Sequence, residues 1–312
     1  MNRSTRGVPV SQSEISEMIK LYGMGLKLKE ISKILHRKPQ TISTHLKENG
    51  VKIRNNTHYR TSKELATSKK YTFDENYFKI IDTYEKAYWL GFIYADGCVY
   101  FRKGAETTKG GVFEMTLKEE DFYHLCNFRG SILGDMPVKL KKVKLNGKIF
   151  NSYRIIVSSV VFVENLIDKG CIPNKSLILK FPKKDKLPEK FYGSFIRGYF
   201  DGDGHIGFYK HKRNKCFSIT MLGTYDFLSE IKRILEKNAE IDRVALRLPK
   251  GEKAWVLSIY KTDSLNKYFN FVYDERSYIL GRKYDKFIEA LSYYKKDYKR
   301  SRIANLATLL DD

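Results

Sequence analysis

The sequence predicts an α+β protein made of two copies of one plan, αββαββα, behind a small all-α module. Three observations carry that prediction. Residues 72 to 290 run twice through helix, two strands, helix, two strands, helix. Two matching nine-residue stretches open the copies, and their final aspartates, Asp96 and Asp203, stand 107 positions apart. The first 70 residues lack alternating β-type runs and carry 15 Lys/Arg against 5 Asp/Glu. The expected divisions are a helical module over 1–54, a basic linker over 55–71, repeats over 72–187 and 188–290, and a basic tail over 291–312.

In the module, Ser13 to Tyr22 forms a helix with Ile15, Met18, Ile19 and Leu21 on its apolar face, ended at Gly23 and Gly25. Leu28 to Leu35 is a second helix with Ile31, Ile34 and Leu35 inward. Arg37-Lys38-Pro39 turns into a third, from Gln40 to Glu48, stopped by Asn49-Gly50. Three short helices with a tight turn before the last is a helix-turn-helix pattern. The stretch Glu30 to Leu35 through Thr41 to Leu46 resembles the helix-turn-helix modules of recombinases and transposases. That resemblance implies a third helix in the major groove, with Gln40, Thr41, Ser43, Thr44 and Lys47 toward DNA. The linker charges either follow a phosphate backbone or are simply solvated.

In copy one a helix over Tyr84 to Ala95 precedes strands at Cys98–Arg102 and Gly111–Leu117 and a helix from Glu119 to Leu133. A hairpin follows, 138–145 and 148–158, turning at Asn146-Gly147, and then a helix from Ser159 to Lys169. Copy two repeats this with a helix from Glu189 to Asp203, strands at His205–Lys210 and Cys216–Leu222, a helix from Tyr225 to Lys237, strands at Arg243–Leu248 and Ala254–Tyr260, and a helix from Thr262 to Val272.

Composition narrows function. The net charge of +22 points to a polyanion as partner. The four cysteines form no Cys-x-x-Cys pair, which argues against a zinc ribbon, and are too few for a disulfide scaffold. Met1 to Val10 has no apolar core of a signal peptide and no run approaches a membrane span. A cytoplasmic, nucleoid-associated protein is expected, neither secreted nor in a membrane.

The opening helices carry the chemistry. Copy one reads Trp89-Leu90-Gly91-Phe92-Ile93-Tyr94-Ala95-Asp96-Gly97 and copy two Ile196-Arg197-Gly198-Tyr199-Phe200-Asp201-Gly202-Asp203-Gly204. Gly91 and Ala95, like Gly198 and Gly202, are four apart, so each pair puts two tiny residues on one helix face. The two helices can then meet backbone to backbone, with Trp89, Phe92, Tyr199 and Phe200 turned to the cores. The glycine after each aspartate terminates its helix. Asp96 and Asp203 would emerge side by side, against like-charge repulsion and at the negative ends of two helix dipoles. A divalent cation, Mg²⁺ or Mn²⁺, cancels both costs and supports phosphodiester hydrolysis. For either aspartate alone, an ordinary helix-end residue is the simpler account; the matched pair makes that account improbable.

At these residues the sequence resembles the LAGLIDADG homing endonucleases, in the single-chain form with two motifs. The resemblance implies two pseudo-symmetric repeats whose sheets form a saddle over DNA, and a metal-dependent staggered double-strand cut in a long target. Asp96 and Asp203 become the catalytic metal ligands, with backbone carbonyls of Gly97 or Ala95 and of Gly202 as further ligands. Lys175 and Lys283 become the basic pocket residues, with Arg282 beside them. The earlier motif acid is present as Asp201 but is Tyr94 in copy one. A polar residue expected near the end of each second strand falls on Leu117 and Met221, a departure from the family pattern. Strand residues expected on DNA are Tyr100, Arg102, Lys139, Lys141, Arg154, Lys210, Lys212, Arg213, Arg247 and Lys261, some of them as solvated charges only. The partner is double-stranded DNA. The twofold is internal, so a monomer is expected. Two alternatives remain open: a non-catalytic DNA-binding transcription regulator, and a maturase that binds intron RNA and aids its splicing.

Overall fold

The computed structural model describes residues 9–24, 26–53, 71–102, 110–211, 214–273 and 278–293. Lys212, Arg213, most of the linker and the tail beyond 293 lie outside the described residues. The chain divides into two compact units, 1–70 and 71–312.

The first unit holds α1 (Gln12–Gly23), α2 (Leu28–Leu35) and α3 (Pro39–Glu48). Ser11 caps α1 by accepting from the Glu14 N–H, and Pro39 opens α3, where its missing N–H costs nothing. Met18, Tyr22, Ile31, Ile42 and Leu46 form a separate small core. Arg37 ties the unit together. Its Nε and Nη2 donate to Glu14 at 2.8 and 3.0 Å, and Nη2 also donates to the Pro9 carbonyl at 3.2 Å. Ile34, expected inward, is half exposed instead. In a helix of eight residues the inward stripe is already filled by Leu28, Ile31 and Leu35.

The second unit follows the predicted order twice. Repeat one has α4 (Tyr84–Asp96), β1 (Gly97–Phe101), β2 (Gly111–Lys118), α5 (Phe122–Phe128), β3 (Lys139–Leu145), β4 (Lys148–Ser158) and α6 (Val160–Asp168). Repeat two has α7 (Tyr192–Asp203), β5 (Gly204–His211), β6 (Asn214–Gly223), α8 (Tyr225–Asn238), β7 (Ala245–Arg247), β8 (Trp255–Ile259) and α9 (Thr262–Val272). A further helix, α10, covers 281–293. Each repeat folds one four-stranded antiparallel sheet, ordered β1-β2-β4-β3 and β5-β6-β8-β7. Thr83, Ser159 and Thr224 cap α4, α6 and α8 through their hydroxyls. The β3–β4 hairpin turns at Asn146 and Gly147, both with positive φ (49° and 78°), as a tight two-residue hairpin requires.

Two sequence expectations need correction. The helix expected over 119–133 is three pieces: a 3₁₀ turn over Glu119–Asp121, α5, and a π-helical turn over Arg129–Leu133. Asp121, the residue before α5, is buried and accepts from Arg282. Gly97 and Gly204 do not end their helices in the left-handed conformation. Both are extended (φ −79° and −82°) and lead straight into strands. They are glycines for space: a Cβ would lie 2.7 Å from the Ile93 carbonyl oxygen at Gly97 and 2.5 Å from that of Phe200 at Gly204.

α4 and α7 are the seam between the repeats. A Cβ on Gly91 would fall 2.0 Å from the carbonyl oxygen of Phe195, and one on Gly198 would fall 2.0 Å from that of Tyr88. These contacts are pseudo-symmetric mates, since 88 matches 195 and 91 matches 198 in the two motifs. Farther along, a Cβ on Gly202 would meet the Ala95 Cβ at 2.3 Å, so one methyl fits where two would collide. The seam joins both repeats into a single apolar core containing Trp89, Phe92, Phe195 and Phe200. Phe287 and Ala290 of α10 are buried in it as well.

Candidate nuclease site

The close approach of α4 and α7 brings their C-termini together. A Cβ on Gly202 would lie 3.0 Å from Asp96 Oδ2, which places Asp96 against the last turn of the opposite helix. Both carboxylates are reached by solvent, Asp203 more than Asp96, yet protein surrounds their sides, as on a cleft floor. Burial, then the charge of Asp203, pushes the Asp96 carboxyl up to about 6. Burial also raises Asp203, while Lys175, Lys283 and a hydrogen bond with Tyr199 pull it back.

The two lysines occupy matching places. Lys175 lies in a 3₁₀ turn (Lys175–Leu177) behind Asn174, whose φ is +55°. Its Nζ donates to the carbonyls of Gly97 (2.7 Å) and Ala95 (3.3 Å). Lys283, near the start of α10, donates to Phe200 (2.7 Å) and Gly202 (3.0 Å). Each ammonium thus caps the negative end of its own repeat's motif helix and offsets the dipole that the carboxylates oppose. Lys283 is buried, which pushes it down to about 8. Among the described residues no group of three or more His, Cys, Asp or Glu is close enough to hold a metal. A divalent ion at this cleft would therefore rest on two carboxylates and on carbonyls whose second lone pairs remain beside the lysines, with water and phosphate oxygens completing its shell. Hard oxygen donors, paired like charges and solvent access fit such an ion.

Asp201 is fully enclosed on the other side of the seam. Tyr88 donates to its Oδ2 at 2.8 Å and the Leu280 N–H donates at 2.9 Å. With the Tyr88 proton committed there, the 2.9 Å contact between His124 Nε2 and Tyr88 Oη has the imidazole as donor. Burial lowers His124 to about 4, so it is neutral. The pseudo-symmetric place holds Tyr94, whose hydroxyl donates to the Lys169 carbonyl and whose ring meets Phe195 at 5.1 Å. Burial pushes Asp201 up to about 6, against the hydrogen bonds that favour its charge. An unfolded aspartate titrates near about 4. Between those values the folded chain holds a proton that the unfolded chain has lost. Stability from this group is therefore present below about pH 4 and lost as pH rises through about 6. Asp201→Asn keeps the acceptor without the charge. It should stabilise the protein by about 3 kcal/mol at pH 7.5 and much less at pH 4. Urea unfolding at the two pH values checks this; equal changes at both would refute it.

The sheets place most of the expected DNA-facing residues together. Strand register puts Tyr100, Lys139, Lys141 and Arg154 on one face of the first sheet, opposite the buried Val99, Phe113 and Ile155. Arg102 reaches Ser158 on the same face, with Nη2 to Oγ at 2.7 Å. Lys141 and Arg154 flank Glu114, at 3.1 and 3.7 Å. Arg247 falls on the equivalent face of the second sheet. Two expected residues, Lys261 and Arg282, do not join them. The side chain of Lys210 lies outside the described residues. Lys261 sits past β8 as the N-cap of α9. Arg282 is pinned to Asp121 by Nε at 2.8 Å and Nη2 at 2.9 Å. In the helical unit Gln40, Thr44 and Lys47 are exposed along α3, and Thr41 and Ser43 are half-buried.

The register also corrects the polar position. Met115 pairs with Gly97 and Met221 with Gly204, so the counterpart of Leu117 is Gly223, not Met221. Sequence reasoning missed Tyr199, whose hydroxyl lies beside Gly223 and Asp203. It also missed the Tyr88–Asp201–His124 chain. Neither leaves a local spacing signal.

Residues 190–272 match the family model of the LAGLIDADG-like domain. No curated protein sequence matches the chain. Similar solved structures include the meganuclease I-SmaMI bound to an uncleaveable DNA with a TTCT central four (11% identity, TM-score 0.46, covering 68% of this chain and 92% of that one). Also similar are the LAGLIDADG meganuclease I-AabMI bound to uncleaved DNA (14%, TM-score 0.44, 67% and 92%) and the LAGLIDADG homing endonuclease I-GzeII in complex with its DNA target (13%, TM-score 0.45, 70% and 92%). The match to the LAGLIDADG-like domain lies in the second repeat, and the first repeat has the same order of elements and the same strand order. Among the described residues no helix is long and apolar enough to cross a membrane.

Proposed function

We propose that the protein is a site-specific DNA endonuclease that makes a staggered double-strand cut with a divalent cation, Mg²⁺ or Mn²⁺. The observation that carries this reading is the pair Asp96 and Asp203 at the meeting ends of two fused helices, each end held by a lysine. Asp96 and Asp203 would hold the cation, and a bound cation supplies charge for the phosphate oxygens and a more acidic water. Lys175 and Lys283 hold the helix ends in place and lend positive charge where the phosphate gains negative charge. The basic outer sheet faces bind the duplex, most contacts going to phosphate. The helical unit, with Gln40, Thr41, Ser43, Thr44 and Lys47 along α3, extends the footprint as a helix-turn-helix. The two motifs lie on one chain, so a monomer suffices.

The test is an in vitro cleavage selection on genomic and randomised duplexes with Mg²⁺, with EDTA as control. Recurrent staggered breaks at one long motif, absent with EDTA, are expected. Tight, specific retention of a duplex without breaks would replace this reading with that of a DNA-binding regulator.

A further inference from the structure

The segment that leads into α10 follows the last helix of repeat two, yet it is fastened to repeat one. The Ser131 hydroxyl donates to Tyr278 Oη at 3.0 Å, and the Tyr278 ring lies 5.0 Å from that of Trp89. Arg282 Nε and Nη2 donate to the two carboxylate oxygens of Asp121 at 2.8 and 2.9 Å. Asp121 is buried, so its charge is withdrawn from water and is met by this guanidinium. Two bonds to two oxygens fix the orientation of the guanidinium as well as its distance. The next residue is Lys283. Its N–H and that of Tyr284 both reach the Leu280 carbonyl, at 3.0 and 3.1 Å, so these residues form one helical turn. Asp121 holds Arg282 within that turn, and Asp201 accepts from the Leu280 N–H at 2.9 Å. The turn so held delivers Lys283 Nζ to the carbonyls of Phe200 and Gly202.

The other half-site is built without such a pair. Met115 and Met221 each pair with the glycine that follows a motif aspartate, and Asp121 and Phe227 each stand six residues farther on. Asn174 precedes Lys175 as Arg282 precedes Lys283. Phe227 is buried among the rings of Tyr94, Phe181 and Phe195. Neither Phe227 nor Asn174 carries a charge. A buried ion pair gains little stability over the apolar packing used there; what it adds is a defined direction.

We propose that Asp121 of repeat one is a positioning residue for Lys283 of repeat two, acting through Arg282. This rests on the endonuclease reading. Asp121 takes no part in proton transfer, since Arg282 engages both of its oxygens. It keeps the turn in place, so that the ammonium stays where the phosphate gains negative charge. Lys175 has no counterpart of this latch.

The experiment is single-turnover cleavage of a saturating duplex, labelled on one strand at a time, by the full-length protein. Lys283→Met identifies the strand that its half-site cuts by slowing that strand more, and Lys175→Met identifies the opposite one. Asp121→Asn, which keeps the shape but loses the charge, should slow the Lys283 strand about tenfold, the rate equivalent of one hydrogen bond to a charged group. The other strand should stay within about twofold, and so should duplex affinity in a gel shift. Arg282→Gln should act on the same strand, and the double variant should be no slower than the slower single one, because either change removes the same pair. Arg282→Gln alone makes the strand comparison if Asp121→Asn does not fold. A merely structural role would slow both strands alike, and that result would overturn the proposal. So would tighter binding and faster cutting by Asp121→Asn, which would make Arg282 a phosphate contact that Asp121 holds back. Equal slowing of both strands by each lysine variant would overturn it too. Absence of metal-dependent cleavage of either strand would instead sink the endonuclease reading itself.

Discussion

Asp96→Asn and Asp203→Asn should each lower DNA cleavage by about a thousandfold or more, the scale of the charge stabilisation a catalytic cation supplies. Both should still bind the duplex with at least wild-type affinity, because each removes a negative charge from a surface that faces phosphates. They should also be more resistant to heat than the parent. The carboxylates are held near each other at the ends of two helix dipoles, and burial and mutual repulsion raise Asp96 to about 6. Neutralising one removes that opposition. A gel-shift titration, a cleavage assay and a thermal melt on the same preparations check all three effects. Undiminished cutting by both variants would remove these residues from the mechanism, and a lowered melting point in both would contradict the electrostatic account.

Gly198→Val should unfold the second unit or destabilise it by more than about 3 kcal/mol. The added Cβ would lie 2.0 Å from the Tyr88 carbonyl oxygen and 2.8 Å from the Phe92 nitrogen. Backbone atoms in a helix have no alternative rotamer to adopt, so α4 and α7 would have to separate along their whole contact. Gly91→Val should behave the same way against Phe195. Gly251→Ala is a useful comparison: nothing lies within 4 Å of its Cβ, so its cost reflects only the positive φ of 82°. Urea unfolding midpoints rank the three. Similar midpoints for Gly198→Val and Gly251→Ala would refute the close-packing argument.

What could be read in the sequence, and what could not, divides along physical lines. Small residues four apart, a helix-ending Asp-Gly and alternating strands are local patterns, and they located the seam glycines, Asp96, Asp203 and the sheets. Lys175 and Lys283 came from family resemblance, since no local spacing ties a residue to a helix end 80 positions earlier. The Tyr88–Asp201 bond joins residues 113 positions apart, and Arg282–Asp121 joins residues 161 apart. No periodicity encodes such pairs. The error at Met221 came from an apolar run, Ile219 to Leu222, that shows strand but not register. Ile34 failed because a short helix has more apolar residues than its small core can take.

The inequality along the seam bears on pairing. Tyr88 of repeat one meets Asp201 of repeat two, while at the mirrored place Phe195 meets Tyr94. Two copies of repeat two, paired through the same helices, would set each Asp201 against a phenylalanine and bury two carboxylates without their phenol donors. Two copies of repeat one would confront Tyr94 with Tyr88 on both sides, and each Tyr88 hydroxyl would lose its carboxylate acceptor. Such a mismatch is tolerated here because both partners arrive on one polypeptide. Each half is thus fitted to the other rather than to a copy of itself.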